Sequence, residues 1–89
     1  MHFKHEESFK KSFSKLPKAI QEKFFSKMEL FIAHKNHPSL NLEKLEPKIL
    51  NKWSMRVDKN YRVIFEFEGN NTVLFIDVGR HENIYKKYP

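Results

Sequence analysis

The sequence predicts an α+β domain in which two N-terminal helices pack on one face of a small antiparallel β-sheet. Three observations carry this expectation. Apolar residues between Phe9 and Ile32 recur at helical spacing, those between Trp53 and Phe67 alternate with polar ones, and the nearly continuous apolar run "TVLFIDV" follows at 72–78. Helices that precede a run of strands pack on the sheet those strands make.

Along the chain, "HFKH" at 2–5 is a candidate short strand. Phe9 and Phe13 stand four apart and Leu16 follows, which predicts a first helix; Pro17 then breaks the chain where a second helix can accept proline in its first turn. Ile20, Phe24, Met28 and Phe31 form the stripe of that second helix, and Phe25 and Ile32 widen it. The helix should end near "HKNHPSL", where Asn36 and Pro38 interrupt the pattern. Residues 39–52 read as an ordered loop. "WSMRV" and "YRVIFEFE" are strands joined by the short turn "DKN", and "GNN" at 69–71 is a second turn. "TVLFIDV" suits a strand buried on both faces.

Eighty-nine residues, 39% of them hydrophobic and nine of them Phe, close one core; residues 1–89 are read as a single domain whose site lies outside that core. A net charge of +6 favours an anionic partner. The absence of cysteine excludes disulfides, thiol catalysis and Cys-ligated zinc. The N-terminus has no apolar leader core and no run reaches the roughly 18 apolar residues of a membrane span, so a cytoplasmic protein without a membrane partner is expected. His34 and His37 lack a third ligand nearby in sequence, and neither a metal nor another cofactor is expected. The helix lysines read as a solvated face.

The hairpin makes a sharper statement. If the odd-numbered residues from Trp53 to Phe67 face the core, a three-residue turn at 58–60 pairs Val57 with Tyr61, Arg56 with Arg62, Ser54 with Ile64 and Lys52 with Glu66. Two of the three arginines, in a chain with fourteen lysines, then stand side by side on the face away from the helices. Like charges opposed on a sheet cost about 0.2–1 kcal/mol. An anion between them reverses that cost, and paired guanidinium groups clamp a phosphate bidentately. A solvated pair, splayed apart or bound to Glu66 and Asp58, is the alternative that the hairpin alone leaves open.

"DVGRHENIY" adds Arg80, His81 and Tyr85 just past the last strand, in a C-terminal loop that crosses the sheet end near Arg62. His, Tyr and Arg around one patch are what phosphodiester cleavage without metal requires: a group to move the 2′-hydroxyl proton, another to protonate the leaving oxygen, and cations for the phosphorane charge. With a reference pKa of about 6.5, His81 suits either proton role.

The ordered set "KLP" (15–17), a long helix, "HPSL" (37–40), "KL" (44–45), "WSMRVDKNYRVIF" (53–65) and "VGRHENIY" (78–85) resembles the RelE/ParE superfamily of toxins from type II toxin–antitoxin pairs, on its RelE/YafQ-like side, over residues 3–86. The resemblance implies a curved sheet and a toxin that acts as a ribosome-dependent, metal-independent endoribonuclease (mRNA interferase), cutting mRNA in the decoding site and so inhibiting translation. It implies catalytic roles for Arg62 as phosphate ligand, Arg56 as a basic strand residue, His81 as proton-transfer group and Tyr85 as the aromatic at the substrate base. Lys52, Ser54, Arg80 and Lys86 become expected RNA-binding positions. Ser54 stands where RelE carries a lysine, which leaves the general base to His81 or Lys52. The implied partners are the ribosome, mRNA and a neutralising antitoxin from an adjacent gene, in a hetero-oligomer. A ParE-like toxin acting on DNA gyrase and a non-catalytic RNA- or antitoxin-binding homologue are the competing readings.

Overall fold

The computed structural model describes residues 1–45 and 51–88. Its elements run β1 (His2–His5), α1 (Glu7–Ser14), α2 (Lys18–Ala33), a 3₁₀ turn (Pro38–Leu40), β2 (Glu43–Lys44), β3 (Lys52–Arg56), β4 (Tyr61–Glu68), β5 (Thr72–Arg80) and α3 (His81–Lys87). The α+β class and the two N-terminal helices are as expected. The expected loop at 39–52 resolves at its ends into the end of the 3₁₀ turn, β2 and the start of β3, and its residues 46–50 lie outside the described ones.

The sheet order is β1-β5-β4-β3-β2. β2 through β5 are antiparallel neighbours, whereas β1 joins β5 in parallel, so the sheet is mixed rather than antiparallel throughout. A parallel neighbour needs a crossover. Here the chain leaves β1 through α1 and α2, and β5 is made only after β3 and β4.

The α1–α2 corner is closed by Gln21, whose Nε2 donates to the carbonyls of Phe13 (3.0 Å) at the end of α1 and Leu16 (3.3 Å) just beyond it. At the far end of α2, His37 Nδ1 accepts from the Ser39 amide at 3.2 Å and starts the 3₁₀ turn, and Asn41 ends it with φ +46°, a conformation that asparagine tolerates better than most residues. Gly69, with φ +64°, turns β4 into β5.

Parity in the β3–β4 hairpin is as predicted. Met55, Val57, Val63 and Phe65 join Phe9, Ile20, Phe24, Met28 and Phe31 in the main core beneath α1 and α2, with Trp53, Tyr61 and Phe67 packed at its border. Ile64 turns the other way, into a second cluster with Leu45, Ile76 and Ile84. The sheet is therefore covered on both faces, by the helix pair on one and by α3 on the other. The stripe of α2 is narrower than its sequence suggested: Phe25 and Ile32 are 57% and 61% exposed. Among the described residues no helix is long and apolar enough to cross a membrane.

β5 carries a bulge. Ile64 pairs with Asp77 and Phe65 with Phe75, which leaves Ile76 as an extra residue. Two β5 residues thus oppose one on β4, and the alternation of β5 reverses beyond that point. Val78, rather than Asp77, returns to the main core, and Asp77 meets α3 through Lys87 and Tyr88.

Candidate active site

The site is assembled by the β3–β4 turn. Asp58 caps it: its Oδ1 accepts from the amides of Asn60 (2.8 Å) and Tyr61 (3.0 Å), and Lys23 of α2 reaches its Oδ2 at 3.4 Å. Burial works to raise the Asp58 pKa, but the two amides and the Lys23 ammonium outweigh it and hold the carboxyl below its ordinary value. The backbone of the same turn binds two further elements. Arg62 Nη1 donates to the Asp58 carbonyl at 2.7 Å and to the Tyr61 carbonyl at 3.0 Å, and the His81 amide donates to the Asn60 carbonyl at 2.7 Å. One three-residue turn thereby sets the arginine of β4 and the first residue of α3.

All four predicted cross-strand pairs are present, including Arg56 opposite Arg62. The two guanidinium groups differ in setting. Arg62 is 8% exposed and anchored to the turn through one nitrogen, whereas Arg56 is half-buried and makes no ion pair among the described residues. Gly79 completes the row beside Arg62, and a Cβ there would sit 3.4 Å from Ile84, so the small residue lets α3 pack close over the strand end.

His81 lies at the first position of α3 rather than in a loop. Its exposed ring meets that of Tyr85, one turn later, with centroids 4.8 Å apart at 77°. Tyr85 in turn reaches back to the sheet, its hydroxyl 2.8 Å from the hydroxyl of Ser54. Ser54 is fully buried. The expectation that it faces a ligand therefore gives way to a contact beneath Tyr85, because α3 covers this part of the sheet. His81, Tyr85 and Ser54 form one continuous contact chain on the same face as Arg56 and Arg62.

Arg80 departs from this group. The β5 bulge pairs it with Tyr61, on the helix-pair side, where its guanidinium lies 5.5 Å from the Tyr61 ring and its Nε is 3.3 Å from Glu82. Lys52 stands 3.6 Å from Glu66, its register partner, and Lys86 is exposed on α3. Sequence reasoning missed the carbonyls of Asp58 and Asn60 as the groups that set Arg62 and His81. The signal was the "DKN" turn itself, since Asp at the start of a turn caps the amides that follow.

A family model described as HigB-like toxin, the RelE-like toxin of the type II toxin–antitoxin system HigB, matches residues 2–81. The chain belongs to this family. The match spans Arg56, Arg62 and His81 of the toxin and stops before Tyr85. Solved structures share its fold. The chain is similar to YafQ from E. coli strain BL21(DE3), with a TM-score of 0.75, 14% identity, and 93% of this chain and 96% of that one covered. The RelB–RelE antitoxin–toxin complex from Methanococcus jannaschii gives 0.74 at 22% identity over 97% and 99% of the two chains. A YoeB/ParE toxin from Agrobacterium tumefaciens gives 0.74 at 15% identity over 91% and 99%. Among curated proteins compared by sequence, none matches.

Proposed function

We propose that this HigB-like toxin is a ribosome-dependent, metal-independent endoribonuclease that cleaves mRNA in the cytoplasm and so stops translation. The observation that supports it most is the Arg56–Arg62 pair on the face where α3 presents His81 and Tyr85. In this reading the two guanidinium groups hold the scissile phosphate and the charge that builds on it as the adjacent 2′-oxygen attacks phosphorus. The bond to the 5′-oxygen breaks, leaving a 2′,3′-cyclic phosphate and a 5′-hydroxyl. His81 serves as the proton-transfer group and Tyr85 as the surface against which the substrate base lies. Arg80, Lys52 and Lys86 add positive charge around the substrate path.

Primer extension on mRNA from cells expressing the toxin tests this. New ends inside codons are expected; normal messages with unaffected growth would overturn the reading. Full toxicity of an His81→Ala variant without new ends would point instead to a protein target, as for a ParE-like toxin.

The proposal includes a cognate antitoxin, encoded beside the toxin; the similar YafQ and RelE chains are seen in complexes with DinJ and with the antitoxin RelB. The surface that suits it lies on the opposite side of the sheet. A groove of about 630 Å³ between β1, α1 and α2 is lined by Phe9, Phe13, Phe25, Met28 and Ile32; Lys4, His5 and Lys10 stand at its rim, and among the described residues no carboxylate lines it. Exposed aromatic and aliphatic groups with a basic rim fit an amphipathic segment carrying acidic flanks. Replacing Phe25 and Ile32 together by Asp is expected to weaken antitoxin binding at least about tenfold, about 1.4 kcal/mol, with little effect on folding because both side chains are already exposed. Calorimetric titration of the variant with the product of the adjacent reading frame measures it, and unchanged affinity would move the antitoxin elsewhere.

A further inference from the structure

We infer that Ser54 is a positioning residue that acts through Tyr85 on His81, an inference that rests on the proposed ribonuclease. Ser54 is the one small polar side chain in the middle of β3, fully buried where strand parity puts it on the α3 side. A buried hydroxyl needs a partner, since leaving it without one costs more than the bond contributes. Its partner is the Tyr85 hydroxyl at 2.8 Å.

The bond matters for the geometry of the pair above it. α3 is seven residues long, too short to hold its own shape, and its side chains reach the sheet at few points. Ile84 packs on Ile64 and Ile76, and Lys87 and Tyr88 bind Asp77. These contacts fix the helix over β4 and β5. Only the Ser54–Tyr85 bond carries a polar contact from α3 to β3 among the described residues. It holds the tyrosine ring by its far end. The near side of that ring is the surface against which the His81 imidazole stands edge to face.

Among the described residues, the other hydrogen bond that ties His81 to the sheet end is a backbone one, from its amide to the Asn60 carbonyl. That bond places the Cα of His81 and leaves its ring free to rotate about χ1 and χ2. The Tyr85 ring restricts this rotation, and Ser54 restricts Tyr85. The chain of constraint runs from the rigid sheet, through one hydroxyl pair and one ring pair, to the group that moves the proton. Proton transfer requires a donor within hydrogen-bond reach of the reacting oxygen, so an imidazole free to swing spends less time in position.

Two variants remove the bond from opposite ends. Ser54→Ala deletes the buried hydroxyl and Tyr85→Phe deletes its partner, both without adding volume. By proton NMR, the ring resonances of His81 carry a shift from the neighbouring Tyr85 ring current in the unaltered toxin. Ser54→Ala is expected to reduce that shift toward the value of the His81 ring in a Tyr85→Ala variant, and cleavage by ribosome-bound toxin should fall about tenfold in kcat with KM little changed. The double variant Ser54→Ala/Tyr85→Phe should be no worse than Tyr85→Phe alone, because both single changes break one bond.

An unchanged His81 shift in Ser54→Ala, or additive losses in the double variant, would overturn the inference. The NMR arm needs no activity. If the unaltered toxin cuts no mRNA, the ribonuclease reading fails while the shift still decides whether Ser54 sets His81.

Discussion

Arg62→Ala is expected to reduce mRNA cleavage on the ribosome about 10²–10³-fold, the range seen when one donor to a developing oxyanion is removed. The same change should lower folding stability by about 1–3 kcal/mol, since it removes the side-chain donor to the Asp58 carbonyl and one of the two donors to the Tyr61 carbonyl, which keeps the Val57 amide. The two effects come from different edges of one guanidinium group. Arginine carries five N–H donors, and the turn engages only Nη1 among the described residues. In the proposed reaction its Nε and Nη2 would be the donors to the phosphate, in a plane that the Nη1 contacts already fix. Arg62→Lys separates the contributions: a lysine keeps the charge and can reach one carbonyl, but it lacks the fork. Recovery of stability with little recovery of cleavage is expected, read by chemical denaturation alongside primer extension. Full recovery of both would show that charge alone suffices at this position. Arg56→Ala serves as the control, because it should reduce cleavage without disturbing the turn.

The buried arginine also resolves the question that the hairpin posed. Paired arginines on a sheet looked costly unless an anion came between them. The structure lowers that cost in advance by drawing one of the two into the turn, where carbonyl dipoles at 2.7 and 3.0 Å face its charge. Arg56 is left as the more accessible member. In the proposed reaction a phosphate arriving there would meet one anchored cation and one more accessible one, which would combine orientation with capture.

Much of this was legible in the sequence, and the parts that were not share a physical cause. Strand alternation has a period of two, so the register of Arg56 with Arg62 and of Ser54 with Ile64 followed from the choice of core face alone. Parity also fails in one step. The extra residue Ile76 on β5 moved Arg80 to the Tyr61 side, and nothing in "TVLFIDVGR" marks a bulge, because Ile76 and Asp77 both find partners on α3. In α3 the sequence predicts a loop where the structure has a helix. Its seven residues offer Ile84 and Tyr85 as their only apolar side chains, too few to show a 3.6-residue period. Phe25 and Ile32 are the opposite case, apolar and well spaced yet exposed, since periodicity reports a face and not what covers it. The run "DVGRHENIY" placed His81 and Tyr85 near Arg62 and the family resemblance gave them expected roles; their contacts with Asn60 and Ser54 required the fold.

Lys87→Ala is expected to raise the pKa of Asp77 and to destabilise the toxin more than Asp77→Asn does. Asp77 is 2% exposed, and burial by itself works to raise its pKa; the Lys87 ammonium at 2.8 Å, the Ser12 hydroxyl and the Val78 amide outweigh that and hold it below the ordinary 3.8. A carboxyl depressed in the folded state contributes stability that is present above its unfolded value and lost as pH falls through the folded one. The loss therefore begins near pH 3.8 and continues downward. Asp77→Asn removes the buried charge and frees a lysine that is mostly in water already, at a cost of about 1–3 kcal/mol at neutral pH, and it flattens the acid limb of the stability curve. Lys87→Ala leaves the carboxylate buried with its strongest counter-charge gone, which is the more expensive half of the pair to abandon. With the folded pKa raised toward the unfolded value, less stability is left to lose on acidification, so the acid limb should flatten, and the destabilisation by Lys87→Ala should be largest at neutral pH and shrink as pH falls. Denaturation midpoints measured at intervals between pH 3 and 7 distinguish the two variants, and an acid limb of Lys87→Ala that matches the unaltered toxin would show that Lys87 does not control Asp77. Because Asp77 anchors the end of α3 whose start carries His81, both variants should also lose cleavage in proportion to the helix they release.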